Sequence, residues 1–168
     1  MLIWLRSFRI EAPITVHEGS IGTIASHGDQ SGGYGLYVIE GQRPVLVHHT
    51  GRGDLAIVTG PELSPGDHLL ECSFEAIGSR TWKLSLTVDG VMVDDHPEVQ
   101  MLFAMSPFEG ISVGRDPRSP VWWERYVSHG SFHWTGTQGP VRWIPGEKDP
   151  DQPEDLIGLL RMLGEKFE

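Results

Sequence analysis

The sequence predicts an all-β fold, an antiparallel β-sandwich with one C-terminal α-helix. Three observations carry the prediction. Apolar and polar residues alternate along Phe8, Ile10, Ala12, Ile14 and Val16 against Arg9, Glu11, Pro13, Thr15 and His17, the period of a half-buried strand. Short runs of this kind recur along the chain, separated by turn residues of the Gly, Pro, Asp and Ser types. Across 168 residues, 21 Gly and 12 Pro with only 21% charged residues describe a turn-rich globular chain rather than a helical bundle or a disordered one.

The elements follow in order. After the first strand, with an edge or bulge expected at Pro13 because proline cannot donate to a ladder, comes a second run from Ile21 to Ala25. It ends at His27-Gly28-Asp29-Gln30-Ser31-Gly32-Gly33, read as the most flexible loop of the first half. Tyr34 to Ile39 and Pro44 to His49 flank Glu40-Gly41-Gln42-Arg43 as a hairpin. Leu55 to Val58, His68 to Ala76 and Thr81 to Val88 continue the meander. Asp89-Gly90 before Val91-Met92-Val93 is the strongest hairpin signal, since a two-residue turn needs positive φ at both positions. Ile111 to Gly114 and Ser131 to Trp134 read as late strands around a long loop, Arg115 to Gly130, and a loop of that length is functional or pinned by its own side chains.

The sandwich is expected over residues 1–144, a polar linker over 145–152 and a helix over 153–168, docked on the sandwich or on a partner. Pro153 suits the first turn, Glu154 and Asp155 favour the positive end of the helix dipole, and Leu156, Leu159, Leu160, Leu163 and Phe167 form an apolar stripe. That stripe makes a homo-oligomer through the helix one expectation.

With 23 acidic and 13 basic residues the net charge is −10, a field that repels nucleic acid and anionic lipid. No segment approaches the roughly 20 apolar residues of a membrane span, and the opening Met-Leu-Ile-Trp-Leu-Arg is too short for a signal peptide, so a cytoplasmic protein is expected from the chain as written. The single cysteine, Cys72, excludes an internal disulfide and reads as a small core residue.

Four stretches in order, Gly32-Gly33-Tyr34-Gly35-Leu36-Tyr37-Val38, Leu63-Ser64-Pro65-Gly66-Asp67-His68, Leu86-Thr87-Val88-Asp89-Gly90, and Val113-Gly114-Arg115-Asp116 with Ser119-Pro120-Val121, resemble a known family. The chain is similar, from about Ser7 to Trp143, to the C-terminal domain of large bacterial arylsulfatases. The resemblance implies a concanavalin A-like jelly roll, as in legume lectins and many glucan hydrolases, and no sulfatase chemistry. That chemistry needs Cys or Ser in a Cys/Ser-x-Pro-x-Arg signature, and Cys72 is followed by Ser73, Phe74, Glu75 and Ala76. The chain departs from the family pattern in standing without a catalytic domain and in its terminal helix.

Glucanases of this fold set two carboxylates about 5 Å apart through Glu-x-Asp-x-x-Glu on one strand. Glu147 and Asp149 come closest, but position 152 is Gln and the segment is proline-rich. Of the eight histidines, His48 and His49 are strand neighbours facing opposite ways, so no metal site is expected there, and His129 with His133 needs a further loop to converge. Asp29 alone is a poor calcium loop. No cofactor is expected.

Arg115, Asp116, Arg118, Trp122, Trp123 and Glu124 sit together in one loop, which admits two readings. They form a carbohydrate platform, with aromatic faces for sugar rings and charged groups for hydroxyls, or Arg115 and Asp116 lock the loop while the tryptophans fill the sandwich edge. The candidate ligand-binding residues are therefore Tyr34, His48, Arg115, Asp116, Trp122 and Trp123, with no catalytic residue assigned. A non-catalytic module that binds a glycan or a protein is expected. The alternative is an enzyme using a concave-face pocket lined by His48 or His49, Glu71, Glu75 and the tryptophans.

Overall fold

In the computed structural model, described over residues 5–52, 55–102 and 109–151, two antiparallel sheets stack face to face. The strands are β1 (Arg6–Val16), β2 (Gly22–Asp29), β3 (Gly32–Ile39), β4 (Arg43–His49), β5 (Leu55–Thr59), β6 (Gly66–Gly78), β7 (Thr81–Val88), β8 (Val91–Gln100) and β9 (Ile111–Val113). A short helix α1 (Trp123–His129) and strands β10 (Thr137–Gln138) and β11 (Arg142–Lys148) complete the described chain. One sheet runs β10-β1-β6-β7-β8, with β11 also on β1; the other runs β5-β4-β3-β2-β9. The all-β antiparallel sandwich is as the alternation predicts.

The core lies between the sheets. Phe8, Ile10 and Ile14 of β1, Leu70, Cys72 and Phe74 of β6, and Leu84 and Leu86 of β7 face Tyr34, Leu36, Leu46 and Val58 of the opposite sheet, all buried. Phe8 stacks on Phe74 at 4.2 Å and meets Trp82 edge-on at 5.5 Å. Cys72 belongs to this core, and burial pushes its thiol well above the ordinary range, which fits an inert packing residue.

The Asp89-Gly90 hairpin forms as expected, with φ of 51° and 80°. Asp89 secures it further by accepting from the Leu69 N–H at 2.8 Å and sharing a hydrogen bond with His68 Nδ1 at 2.7 Å. Pro13 sits where pairing on one side of β1 passes from β11 to β10, so its missing donor falls between two ladders, while the β1–β6 register runs through it unbroken.

Several sequence readings give way. The segment 27–33 is no flexible loop: β2 and β3 run into it and leave a turn at Gln30-Ser31, with Asp29 Oδ1 accepting from the Ser31 N–H at 2.6 Å. Strand β11 extends through Lys148, where a linker is expected from 145, because β1 offers it an unpaired edge. Ser131 to Trp134 is not a strand but a single parallel bridge, Thr23 to His133; Phe132 has a φ of 43°, which breaks extension and turns the chain across the sheet. The long loop contains α1. The expected helix at 153–168 lies outside the described residues. No described helix is long and apolar enough to cross a membrane.

Candidate ligand-binding clefts

Sheet β5-β4-β3-β2-β9 is buried on both faces at its centre, which explains the almost continuous apolar runs of β3 and β4. Residues 114–135 lie across its outer face. Asp116, 4% exposed, anchors this cover: it accepts from Tyr37 Oη at 2.7 Å, Ser26 Oγ at 3.1 Å and the Val121 N–H at 2.9 Å. Burial pushes its carboxyl up, and these hydrogen bonds pull it partly back. Tyr37, itself held well above the usual phenol range by burial and by Asp116, meets Trp122 edge-on at 5.4 Å and stacks with Phe132 at 6.4 Å. Arg125 lies 4.9 Å over the Trp122 ring and pairs with Glu40 at 2.5 Å; His129 reaches the same carboxylate at 3.2 Å. Helix α1 is thereby pinned from both sides.

One residue beyond Trp122 the direction reverses. Trp123 is 49% exposed, stacked on Tyr126 at 5.8 Å, and overhangs a cleft of about 330 Å³ lined by Gln30, His49, Gly51, Leu55, Val121 and Glu124. The cleft's floor is rigid. Gly51 has a φ of 78°, and a Cβ there would run into the Ser31 backbone, so the β4–β5 connection presses directly on the β2–β3 turn. His49 Nδ1 accepts from the Gly51 N–H at 3.1 Å, and burial lowers the imidazole's pKa against the opposing pull of the Val121 backbone and nearby carboxylates. The cleft therefore presents a neutral imidazole, an amide, one carboxylate and an indole face.

A second cleft of about 420 Å³ opens beside β4, β5 and β8, lined by His48, Thr50, Leu55, Ala56, His96, Glu98, Val99 and Gln100. His48 is 2% exposed, packs edge-on to Trp82 at 5.8 Å, and is pulled down to about 3 by burial and by the neighbouring His49 and His96. His48 and His49 do face opposite ways, one toward each cleft.

Of the six residues singled out from sequence, the structure brings none together as one site. Tyr34 is fully buried between Phe8 and Phe74, its hydroxyl bonded to His27 Nδ1 and accepting from Trp143 Nε1, so it is a core residue. Asp116 and Trp122 are consumed in anchoring the cover, and Arg115 is exposed but lines neither cleft. Trp123 and His48 line different clefts. Asp116 and Trp122 are packed into the cover, whereas Trp123 is half-exposed at the rim of a cleft. The concave-face pocket of the enzyme reading is not assembled, because Glu71 and Glu75 alternate with core residues Leu70, Cys72 and Phe74 and face away from His48 on the other sheet. Among the described residues no three His, Cys, Asp or Glu side chains gather to hold an ion.

Gln30, Leu55, His96 and Glu98 were not anticipated. Gln30 stands at a turn flanked by two glycine-containing strands, a usable signal; His96 faces inward only because of a bulge, which leaves no mark in the hydrophobic pattern.

No protein-family model matches the chain, and no curated protein matches it in sequence. Solved structures do match. Domains LG4-5 of the mouse laminin alpha1 chain are 18% identical with a TM-score of 0.57, covering 90% of this chain and 39% of that one. The Ruminococcus gnavus IT-sialidase CBM40 is 13% identical with a TM-score of 0.59, covering 92% and 83%; the same module bound to α2,3-sialyllactose gives 14% and 0.55. The native heptameric SAP-like pentraxin of Limulus polyphemus is 11% identical with a TM-score of 0.51, covering 83% and 64%. What these structures share with the chain is the fold, two antiparallel sheets packed as a jelly-roll β-sandwich.

Proposed function

We propose that this chain is a non-catalytic glycan-binding module whose ligand rests on Trp123, a relative of the C-terminal domain of large bacterial arylsulfatases. One observation carries the reading: a half-exposed indole overhangs a cleft whose other polar groups are Gln30, His49 and Glu124, all on pinned backbone. A sugar needs an apolar face for its C–H groups and a few fixed donors and acceptors for its hydroxyls. Glu124 and the net charge of −10 favour a neutral glycan over an anionic one. The ordered motifs from Gly32 to Val121 support the arylsulfatase kinship; Gly114 to Val121 supplies the turn that delivers Asp116 to Tyr37 and Ser26.

A glycan array followed by titration calorimetry tests the reading. Wild type is expected to bind neutral glycans in preference to sialyllactose, and Trp123→Ala to lose at least about tenfold in affinity at unchanged melting temperature. Binding unaffected by Trp123→Ala would sink it.

A further inference from the structure

At the second cleft two polar atoms have no hydrogen-bond partner among the described residues. His48 Nε2 and His96 Nδ1 are both sealed from solvent without a hydrogen bond, and both residues line it. Buried polar groups are nearly always paired, so two orphans at one cavity mark a place where something else supplies the partner. His96 owes its direction to a register shift: Leu84 pairs with His96 but Trp82 with Val99, so the extra residue at Pro97-Glu98 lets both His96 and Val99 face inward. Bulges of this kind re-aim side chains at sites.

Resting on the glycan reading above, we propose that this cleft is a second sugar subsite, continuous over Leu55 with the Trp123 cleft, so that the module takes a neutral oligosaccharide rather than a single sugar. Leu55 lines both clefts, 39% exposed on the edge strand between them. The chemistry matches hydroxyls. A neutral imidazole has one donor and one acceptor nitrogen, and a hydroxyl is the ligand group that answers either. His48 stays neutral, pulled down to about 3 by its burial. Ala56, Val99 and Leu55 give the aliphatic wall for ring C–H groups, while Glu98 at the rim disfavours an anionic ligand. A volume near 420 Å³ falls in the range of small-ligand pockets.

Calorimetry with neutral gluco-, xylo-, manno- and galacto-oligosaccharides of one to six units, run on wild type, His96→Leu and Trp123→Ala, tests the proposal. Wild-type affinity is expected to rise at least tenfold between one and three units. His96→Leu removes an unpaired nitrogen, so it is expected to melt at or above the wild-type temperature, bind the shortest ligand as wild type does, and lose the gain with length. Glu98→Ala, at the exposed rim, supplies a second variant with a weaker loss in the same direction should His96→Leu fold poorly. Affinity independent of length, or a length series unchanged in both variants, overturns the subsite while leaving the Trp123 site standing. Absence of binding to every sugar overturns both.

Discussion

The two sheets expose very different outer faces. On β6 and β7 most outward residues are polar and half-exposed, Glu71 and Ser73 beside Arg9, then Lys83 paired with Asp95 at 3.1 Å, with Leu69 and Ile77 of β6 exposed at its two ends. On β2, β3 and β4 the outward residues, Ser26, Tyr37, Val45 and Val47, are buried under residues 114–135. The first face alternates in sequence and the second does not, because a face covered by chain needs apolar groups on both sides. The covered face also differs in what it can do. A flat polar surface under water offers no concavity, whereas a cover that stops short of the sheet edge leaves steps, and both clefts open at such steps near Leu55.

The largest effect is expected from removing the anchor of the cover. Asp116→Ala strands Tyr37 Oη, Ser26 Oγ and the Val121 N–H, each buried and each costing about 1–3 kcal/mol when unpaired, so urea unfolding should show a loss of at least about 3 kcal/mol. Glu71→Ala on the open face removes only an exposed contact 3.7 Å from Arg9 and should stay within about 0.5 kcal/mol. Equal effects at the two positions would break the comparison.

Acidification comes next. His48, His49 and His27 all have pKa values lowered by burial, so the unfolded chain takes up protons first as pH falls below about 6.5. Their contribution to stability is present above that pH and is lost as pH falls toward the folded-state values, at up to about 1.4 kcal/mol per pH unit for each group. Unfolding free energy measured between pH 7 and 4.5 should fall, and His48→Leu should flatten the slope. A slope unchanged by His48→Leu would show that this imidazole is not the neutral buried group described here.

The smallest effect is expected where the cover meets solvent. Arg125→Ala removes an ion pair to the exposed Glu40 and a cation–π contact on Trp122, and should cost about 0.5–1 kcal/mol by thermal unfolding. A larger cost would mean that α1 is held chiefly from its solvent side rather than by Asp116.

Much of this fold was legible in the sequence because strand alternation and turn chemistry are local. The Asp89-Gly90 turn, the Glu40 to Arg43 hairpin and the paired β6 and β7 need only neighbours to form. The site was less legible because it depends on which face of a strand is covered. Tyr34 and Tyr37 lie three residues apart in one apolar run, yet one fills the interior and the other meets the cover. Trp122 and Trp123 are adjacent and identical, and only the helix start between them sends one inward and one outward. His96 was invisible for a further reason: the bulge that turns it inward is a property of pairing, not of spacing.

A crystal structure of the protein soaked with its best neutral oligosaccharide tests the central claim most directly. The account predicts a sugar ring stacked on Trp123, with hydroxyls reaching Gln30, His49 and Glu124, and no occupancy on the open face around Arg9 and Glu71. A ligand seated on that open face, with Trp123 uncovered, would contradict it.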